Sequence, residues 1–298
     1  MMDFEMFIEK VVEEVSKELS TLEVKKSEVT KNNGMKLRSI TITSDESNVS
    51  PVIYLEGFFS DYQEGRPMKD ITEGIIKLYR ESATNTSWDV SAFTNYSSAR
   101  TLLRPRLINT EKNKELLANV PHREILDLSL IYSVELSGDF DGVGTIIVRN
   151  EHMKLWDVDE QTLYEEVLKN MEEYDEGSLR TMKDVLLEMI GCDMEMLDSE
   201  ISIPMYVLTN RSKLYGASQL INKSMLAMAA KTIGSDLIIL PSSVHELLIL
   251  PVADNMTEMD HMTSMVREVN DSEVAMNEIL SYHVYRYDSV TGEVSIAA

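Results

Sequence analysis

Two short aliphatic runs flank a polar turn at residues 237–252, in the sequence LIILPSSVHELLILPV. Proline has no backbone N–H to donate, so Pro241 does not fit inside a central strand and ends the first run. Hydroxyl groups such as those of Ser242 and Ser243 commonly bond backbone groups in turns. The stretch therefore predicts two adjacent antiparallel strands, buried on at least one face and joined by a turn.

Residues 1–85 predict a smaller N-terminal subdomain of the helix–hairpin–helix type. Apolar residues recur at helical spacing over residues 3–19, which is typical of an amphipathic helix. The turn Asn32-Asn33-Gly34 lies between two predicted strands, and Asn and Gly tolerate the positive φ of a hairpin. A second helix is predicted over 69–82, and the polar stretch 82–87 predicts the end of the subdomain.

Residues 86–298 predict a larger domain that combines hairpins with helices. A strand pair is expected around the turn at 137–142, and two acidic helices are expected at 159–173 and 178–190. From residue 204 onward, the predicted order β-α-β-β-α-β mixes hairpins with one helical crossover. This order favours the α+β class, with a mixed, largely antiparallel sheet and packed helices.

The charge of the chain limits its partners. The sequence has 51 acidic and 28 basic residues, which gives a formal net charge of −23 at pH 7. A surface with this charge repels phosphate backbones and anionic lipids. We therefore expect no direct nucleic-acid partner and no membrane partner.

Several features predict a cytoplasmic location. Cys192 is the only cysteine, so the chain cannot form an intrachain disulfide. The first residues, MMDFEMFIEKVVEEV, are acidic where a secretory signal has a basic start followed by an apolar block. No run of about 18 uncharged apolar residues occurs that would span a membrane.

The turn at residues 241–246 also contains the residue types of a hydrolase site. Ser242, Ser243, His245 and Glu246 are candidates for a nucleophile, its base and a carboxylate. Neighbours in an extended segment point to alternating faces, however, and no Gly-x-Ser-x-Gly elbow is present to expose a serine beside an oxyanion hole. A structural turn is favoured over catalysis, and the hydrolase remains the alternative hypothesis.

Metal and cofactor motifs are incomplete. His245-Glu246 lacks the second histidine of a zinc helix, because position 249 is Ile. The stretch from Asp139 resembles the start of a calcium loop, but Asn150 stands where the last carboxylate ligand belongs. Asp193, Glu195 and Asp198 are read as a solvated acidic loop. No phosphate-binding glycine loop occurs. We therefore expect no metal and no cofactor.

A binding function is the hypothesis that the residues favour most. Polar side chains collect at the ends of predicted strands, where ligands tend to bind. The candidate ligand-binding residues are Tyr206, Asn210, Tyr215, Ser242, Ser243, His245 and Glu246. The predicted function is a non-catalytic module that binds a protein or a small molecule whose identity stays open.

The acidic region supports a further alternative. Between Asp157 and Glu200 there are 15 acidic and 3 basic residues, as in proteins that mimic nucleic acid. A mimic needs phosphate-like spacing along one extended surface, whereas these charges are spread around two short predicted helices. Solubility explains them more simply, so mimicry ranks below the binding module.

Five sequence blocks carry a resemblance to a known family. They are TKNNGMKLRSITI, PVIYLEGFFSDYQEG, PMYVLTNRSKLYGASQL, LIILPSSVHELLILPV and LSYHVYRYD. Together they resemble a family of bacterial proteins of unknown function, found mainly in anaerobic Gram-positive bacteria, often gut residents. The last two-thirds of the chain is also similar to a second family of cytoplasmic proteins from Gram-positive bacteria. The resemblance brings no activity, but it implies that residues 241–246 belong to a family motif, which favours a pocket there.

Overall fold

The computed structural model of the protein describes residues 2–44, 50–83, 91–137, 143–174, 176–190, 204–252 and 259–298. The chain separates into two compact units, Met1–Ser91 with Glu135–Thr145, and Ala92–Val134 with Ile146–Ala298. The described residues form helices and three mostly antiparallel sheets, which confirms the predicted α+β class. The subdomain boundary predicted near residue 85 falls within 84–90, outside the described residues.

The first unit contains a three-stranded antiparallel sheet, in the order β1-β2-β3, with helices before and after it. Its elements are α1 (Phe4–Glu18), β1 (Glu23–Thr30), β2 (Lys36–Thr43), β3 (Val52–Tyr54), α2 (Glu56–Gln63) and α3 (Met68–Ala83).

The predicted N-terminal helix and hairpin are confirmed. Helix α1 begins where the Asp3 side chain accepts a hydrogen bond from the backbone N–H of Met6 at 2.9 Å. Its apolar face is buried in the core of this unit, with Phe7 and Val11 fully inaccessible to solvent. The turn between β1 and β2 uses positive φ at Asn33 (61°) and Gly34 (68°), as the residue types predicted.

From residue 91 onward the chain forms eight α-helices and ten strands within the described residues. They are α4 (Ser91–Thr94), α5 (Tyr96–Ala99), β4 (Leu103–Asn109), α6 (Lys114–Leu117), β5 (His122–Ile125), β6 (Leu128–Ser137), β7 (Val143–Ile147), α7 (Asn150–Trp156), α8 (Glu160–Glu173), β8 (Gly177–Thr181), α9 (Met182–Ile190), β9 (Tyr206–Asn210), α10 (Lys223–Ile233), β10 (Leu237–Leu240), β11 (Leu247–Pro251), α11 (Met259–Ser272), β12 (Tyr285–Asp288) and β13 (Glu293–Ile296).

These strands form two sheets. A six-stranded sheet has the order β13-β12-β10-β11-β9-β8, and a second sheet has the order β4-β6-β5, with β7 pairing β6. Strands β10 and β11 are antiparallel neighbours, with Leu237 opposite Pro251 and Leu240 opposite Leu248. The prediction of two adjacent strands within residues 237–252 is therefore confirmed.

The two faces of the six-stranded sheet are covered to different extents. One face carries Leu208, Leu247 and Ile249, all fully buried. On the other face, apolar residues of β10 and β11 pack against Met262 and Val266 of α11. Part of this second face lies beside α9, where the described residues leave a groove.

The predicted helix at 178–190 is wrong in its first turn. Residues Gly177–Thr181 form strand β8, which pairs with β9 and lies at the edge of the sheet. The helix starts at Met182 because Thr181 Oγ1 accepts a hydrogen bond from the N–H of Asp184 at 3.1 Å, while its hydroxyl donates to the Asp184 carboxylate at 2.6 Å. This cap marks the boundary between β8 and α9, whereas the apolar spacing in the sequence predicted one continuous helix over 178–190.

Candidate functional site

A groove lies beside α9, on the face of the six-stranded sheet that carries Val207 and Leu248. Its cavity volume is about 670 Å3. We call it the α9 groove. The described residues that line it come from β8, β9, β11, α9 and the loops next to these strands. Pockets of about 300–1,000 Å3 commonly hold small ligands.

The strand register explains which side chains form the floor of the groove. Val207 of β9 lies opposite Arg180 on one side and Leu248 on the other, so the three share a face of the sheet. Thr209, two residues further along β9, lies on the same face and opposite Ser178. The floor is therefore apolar at its centre and polar at one end.

Helix α9 supplies the wall of the groove. Met182 and Val185 face it and extend the apolar surface of Val207 and Leu248. All four side chains are apolar, so they provide a surface for an aliphatic or aromatic part of a ligand. The side chain of Met182 can also adapt its shape to different partners.

Three basic and three acidic residues line the groove, in a chain that is strongly acidic overall. Two of the bases share one acid: Arg180 and Lys213 both form ion pairs with Glu188, the latter at 3.2 Å. Hydrogen bonds from Arg180, and secondarily from Lys213, lower the pKa of Glu188. These three charges are therefore engaged with one another.

The charges of Arg211 and Glu246 are not engaged in this way. Neither side chain forms a hydrogen bond or an ion pair with any residue in the part of the chain that the structure describes. Leu247 lies opposite Leu208, which places Glu246 beside Thr209 and two residues from Arg211. Both charges are therefore at the same end of the groove.

The turn before β11 is held in place by backbone hydrogen bonds. The N–H of Val244 donates to the carbonyl of Glu278 at 2.9 Å, and the N–H of Leu280 donates to the carbonyl of Ser242 at 3.0 Å. Within the turn, the N–H of His245 donates to Ser243 Oγ at 3.0 Å. This is the predicted role of a turn hydroxyl.

His245 connects the turn to a stack of side chains that we call the Arg106–Glu278 stack. The guanidinium of Arg106 lies 3.8 Å from the ring centre of Tyr215, and the Tyr215 ring lies 5.5 Å from the His245 ring. His245 Nε2 is 3.8 Å from a carboxylate oxygen of Glu278. Residues from three other parts of the sequence, Arg106, Tyr215 and Glu278, thus lie around the turn.

The hydrogen bonds of His245 define its chemical state. The backbone N–H of Tyr215 donates to Nδ1 of His245 at 3.2 Å, so this nitrogen is an acceptor. A neutral ring then carries its proton on Nε2, the nitrogen nearest Glu278. In this arrangement the lone pair of the imidazole is occupied by a backbone donor, and Ser243 Oγ is bonded to the main chain of His245.

A short helix, Gly216–Ile221, packs closely against β9 and the turn. A Cβ atom on Gly216 would lie 2.1 Å from Thr209 Oγ1, 2.6 Å from the carbonyl oxygen of His245 and 2.7 Å from the N–H nitrogen of Asn210. Only glycine fits this approach. Tyr215, just before it, adopts a left-handed conformation with φ 54°. The close contact explains why glycine follows tyrosine in this sequence block.

The structure divides the predicted site residues into two groups. Asn210 and Glu246 line the α9 groove. Tyr215, Ser243 and His245 belong to the Arg106–Glu278 stack and the turn beneath it.

The remaining two predicted residues are Ser242 and Tyr206. Ser242 is buried in the turn. Tyr206 begins β9, where it lies opposite Ile249 and Thr181. Sequence reasoning missed Arg211, Met182 and Val185, since nothing in the sequence shows that a strand at 177–181 brings α9 beside β9.

A second polar cluster, which sequence reasoning also missed, surrounds Asp127. Its carboxylate accepts hydrogen bonds from Ser281 Oγ at 2.7 Å and from the hydroxyl of Tyr285 at 2.5 Å, and His283 Nδ1 lies 3.2 Å away. Burial, followed by the hydrogen bond to Asp127, raises the pKa of Tyr285. The sequence block LSYHVYRYD contains Ser281, His283 and Tyr285. Their partner Asp127 is more than 150 residues away from Ser281 in the sequence.

A third cluster lies at the start of α8. Glu160 accepts hydrogen bonds from Arg123 at 2.8 Å and 3.2 Å, and from the buried hydroxyl of Tyr132. The Arg123 guanidinium also lies 3.7 Å from the ring centre of Tyr164. Burial, then Glu160, raises the pKa of Tyr132. These contacts anchor α8 on the β4–β6–β5 sheet.

The basic residues near β4 have structural partners. Arg100 forms an ion pair with Glu166 of α8 at 3.8 Å. Arg106 is buried, and its Nε donates to Ser133 Oγ at 2.9 Å.

No group of three or more metal-ligating side chains occurs among the described residues. The acidic loop with Asp193, Glu195 and Asp198, together with Cys192, lies outside them. In the same part of the chain, no helix is both long enough and apolar enough to cross a membrane.

The fold and the groove define an α+β protein with an antiparallel sheet and a polar-ended pocket on one face of that sheet. Comparison with known proteins gives the family. Residues 4–289 match the model of DUF5688, a family of unknown function, and the chain belongs to this family. No curated protein and no solved structure matches the chain.

Proposed function

We propose that this protein is a non-catalytic binding module that takes a small ligand or a short protein segment in the α9 groove. The observation that carries this proposal is the combination of an apolar floor and wall with two opposite charges at one end, Arg211 and Glu246, that have no partner among the described residues. Ligand sites are typically concave and mainly apolar, with a few polar groups that fix orientation.

The Arg106–Glu278 stack supports the proposal by fixing the position of Glu246. His245 is held through its backbone N–H, its carbonyl and its ring: the carbonyl accepts from Thr209 Oγ1 at 2.7 Å. Glu246 follows directly and projects toward the groove. A charged group on a rigid segment loses little conformational entropy when it binds a ligand.

The state of His245 favours binding over hydrolysis. A general base needs a free lone pair directed at the nucleophile. The Nδ1 lone pair of His245 accepts a backbone hydrogen bond instead, and Nε2 lies nearest Glu278. We assign the ring a positioning role. The single cysteine favours the cytoplasm as the place where the module works.

A fragment screen by ligand-observed NMR tests the proposal. Val185→Trp fills the groove from α9, and Leu155→Trp places the same ring on an exposed residue of α7. We expect fragments to bind the wild type and the Leu155→Trp protein, and to lose at least tenfold in affinity with Val185→Trp. Circular dichroism of each variant checks the fold.

The proposal fails if no fragment binds the wild type, or if the hits bind the Val185→Trp protein equally well. Either result would show that the groove is not the binding surface.

A further inference from the structure

We propose that the ligand of the α9 groove is a zwitterion with an apolar side chain, namely a free apolar amino acid or a short apolar peptide. This inference rests on the proposed function and names the chemistry of the ligand. It follows from the kind of charges at the end of the groove and from what lies next to them.

The two unengaged groups are complementary to the two charges of an amino acid. Arg211 presents a planar guanidinium, which binds carboxylates through two parallel hydrogen bonds. Glu246 presents a carboxylate, which accepts hydrogen bonds from an ammonium group. Because Arg211 and Glu246 do not pair with each other in the described structure, a ligand that carries both charges can bridge them.

The surroundings of these charges select against simpler ions. Glu176 also lines this end of the groove, so the end carries two carboxylates and one unengaged guanidinium. A simple anion is repelled by the carboxylates, and a simple cation leaves Arg211 without a partner. A zwitterion offers an ammonium group to the carboxylates and a carboxylate to Arg211.

The apolar part of the groove begins where the charges end. Val207 and Leu248 continue the floor away from Thr209, and Met182 and Val185 face them from α9. An aliphatic side chain placed there is removed from water, which contributes about 25 cal/mol per Å2 of apolar surface. The other bases, Arg180 and Lys213, remain paired with Glu188 and do not compete for the carboxylate.

Isothermal titration calorimetry tests the inference with defined probes: L-leucine, Leu-Leu, N-acetyl-Leu-Leu and Leu-Leu amide. We expect Leu-Leu or leucine to bind, and the size preference separates an amino acid from a peptide. Acetylation removes the ammonium and amidation removes the carboxylate. Each change should weaken binding to the wild type about tenfold, which equals about 1.4 kcal/mol.

Protein variants assign each loss to its partner. Glu246→Ala should bind acetylated and free peptide about equally while still discriminating against the amide. Arg211→Ala should bind the amide and the free peptide about equally while still discriminating against the acetylated peptide. Glu268→Ala and Arg267→Ala, on α11 and outside the groove, make the same changes in net charge and should behave like the wild type.

The outcomes separate the two proposals. If neither leucine nor Leu-Leu binds while fragments still need an open groove, the zwitterion is wrong and the binding module stands. If binding occurs but acetylation and amidation have the same effect in every variant, the assignment of Arg211 and Glu246 is wrong. If the fragments fail as well, both proposals fall.

Discussion

Replacing Gly216 by alanine tests the packing that holds the candidate site together. The new methyl group would lie 2.1 Å from Thr209 Oγ1, 2.6 Å from the carbonyl oxygen of His245 and 2.7 Å from the backbone nitrogen of Asn210. Two of these three atoms belong to the main chain and cannot rotate away. The helix Gly216–Ile221 must therefore shift from the sheet.

The size of the effect follows from these contacts. Overpacking of a buried site costs about 1–3 kcal/mol. The shift also strains the hydrogen bond from Thr209 Oγ1 to the carbonyl of His245, and such a bond contributes about 1 kcal/mol. We expect Gly216→Ala to lower the free energy of unfolding by about 2–4 kcal/mol, a large part of the stability of an ordinary domain.

Urea unfolding, followed by the fluorescence of Trp156 in a Trp88→Phe background, measures this loss. Gly177→Ala is the matched control, because its new methyl would meet only side-chain atoms, of Met225 at 2.7 Å and Gln219 at 2.8 Å. Methionine adapts its rotamer, so we expect a loss of about 1 kcal/mol. The packing argument is refuted if Gly216→Ala costs no more than this control.

Three further changes test other parts of the structure. Asp127→Ala should lower the free energy of unfolding by about 2–4 kcal/mol, because it leaves the buried hydroxyl of Tyr285 without its acceptor. Tyr285→Phe should then lower the free energy of unfolding less in the Asp127→Ala background than in the wild type. Equal losses in the two backgrounds would contradict the coupling. Hydrogen bonds from Arg286, and secondarily from the backbone of Ser289, lower the pKa of Asp236 to about 2. Its contribution is therefore present above the ordinary pKa near 3.8 and lost as the pH falls toward 2. In thermal unfolding, Asp236→Asn should be less stable than the wild type by about 1 kcal/mol at pH 6, and this gap should narrow as the pH falls through about 2. A gap that is constant with pH would argue against this. A fluorophosphonate probe should label the wild type no more than Ser243→Ala, whereas labelling that requires both Ser243 and His245 would favour the hydrolase.

The sequence predicted those parts of the site that are local in the chain. Pro241 and the flanking aliphatic runs were sufficient for the turn and its two strands, and Glu246 followed as a polar residue at a strand end. The hydroxyl of Ser243 has the backbone role expected of a turn residue.

The parts that could not be predicted depend on contacts between distant residues. Arg106 and Tyr215 are 109 positions apart in the numbering, and their stacking follows from how β4 meets the helix Gly216–Ile221. The α9 groove depends on the strand Gly177–Thr181. The leucine of this strand is spaced so that it continues the apolar face of α9, and the sequence therefore predicted a helix there. The cap at Thr181 was the local signal that could have separated them.

The central claim is that a ligand binds in the α9 groove, and methyl-resolved NMR tests it most directly. The protein is labelled at Met, Val and Leu methyl groups and titrated with the strongest-binding fragment or peptide. We predict that the largest shifts occur at Met182, Val185, Val207 and Leu248, while Met228 and Leu237 stay unchanged. Shifts concentrated on any other surface, with the four groove methyl groups unperturbed at saturation, would contradict the account.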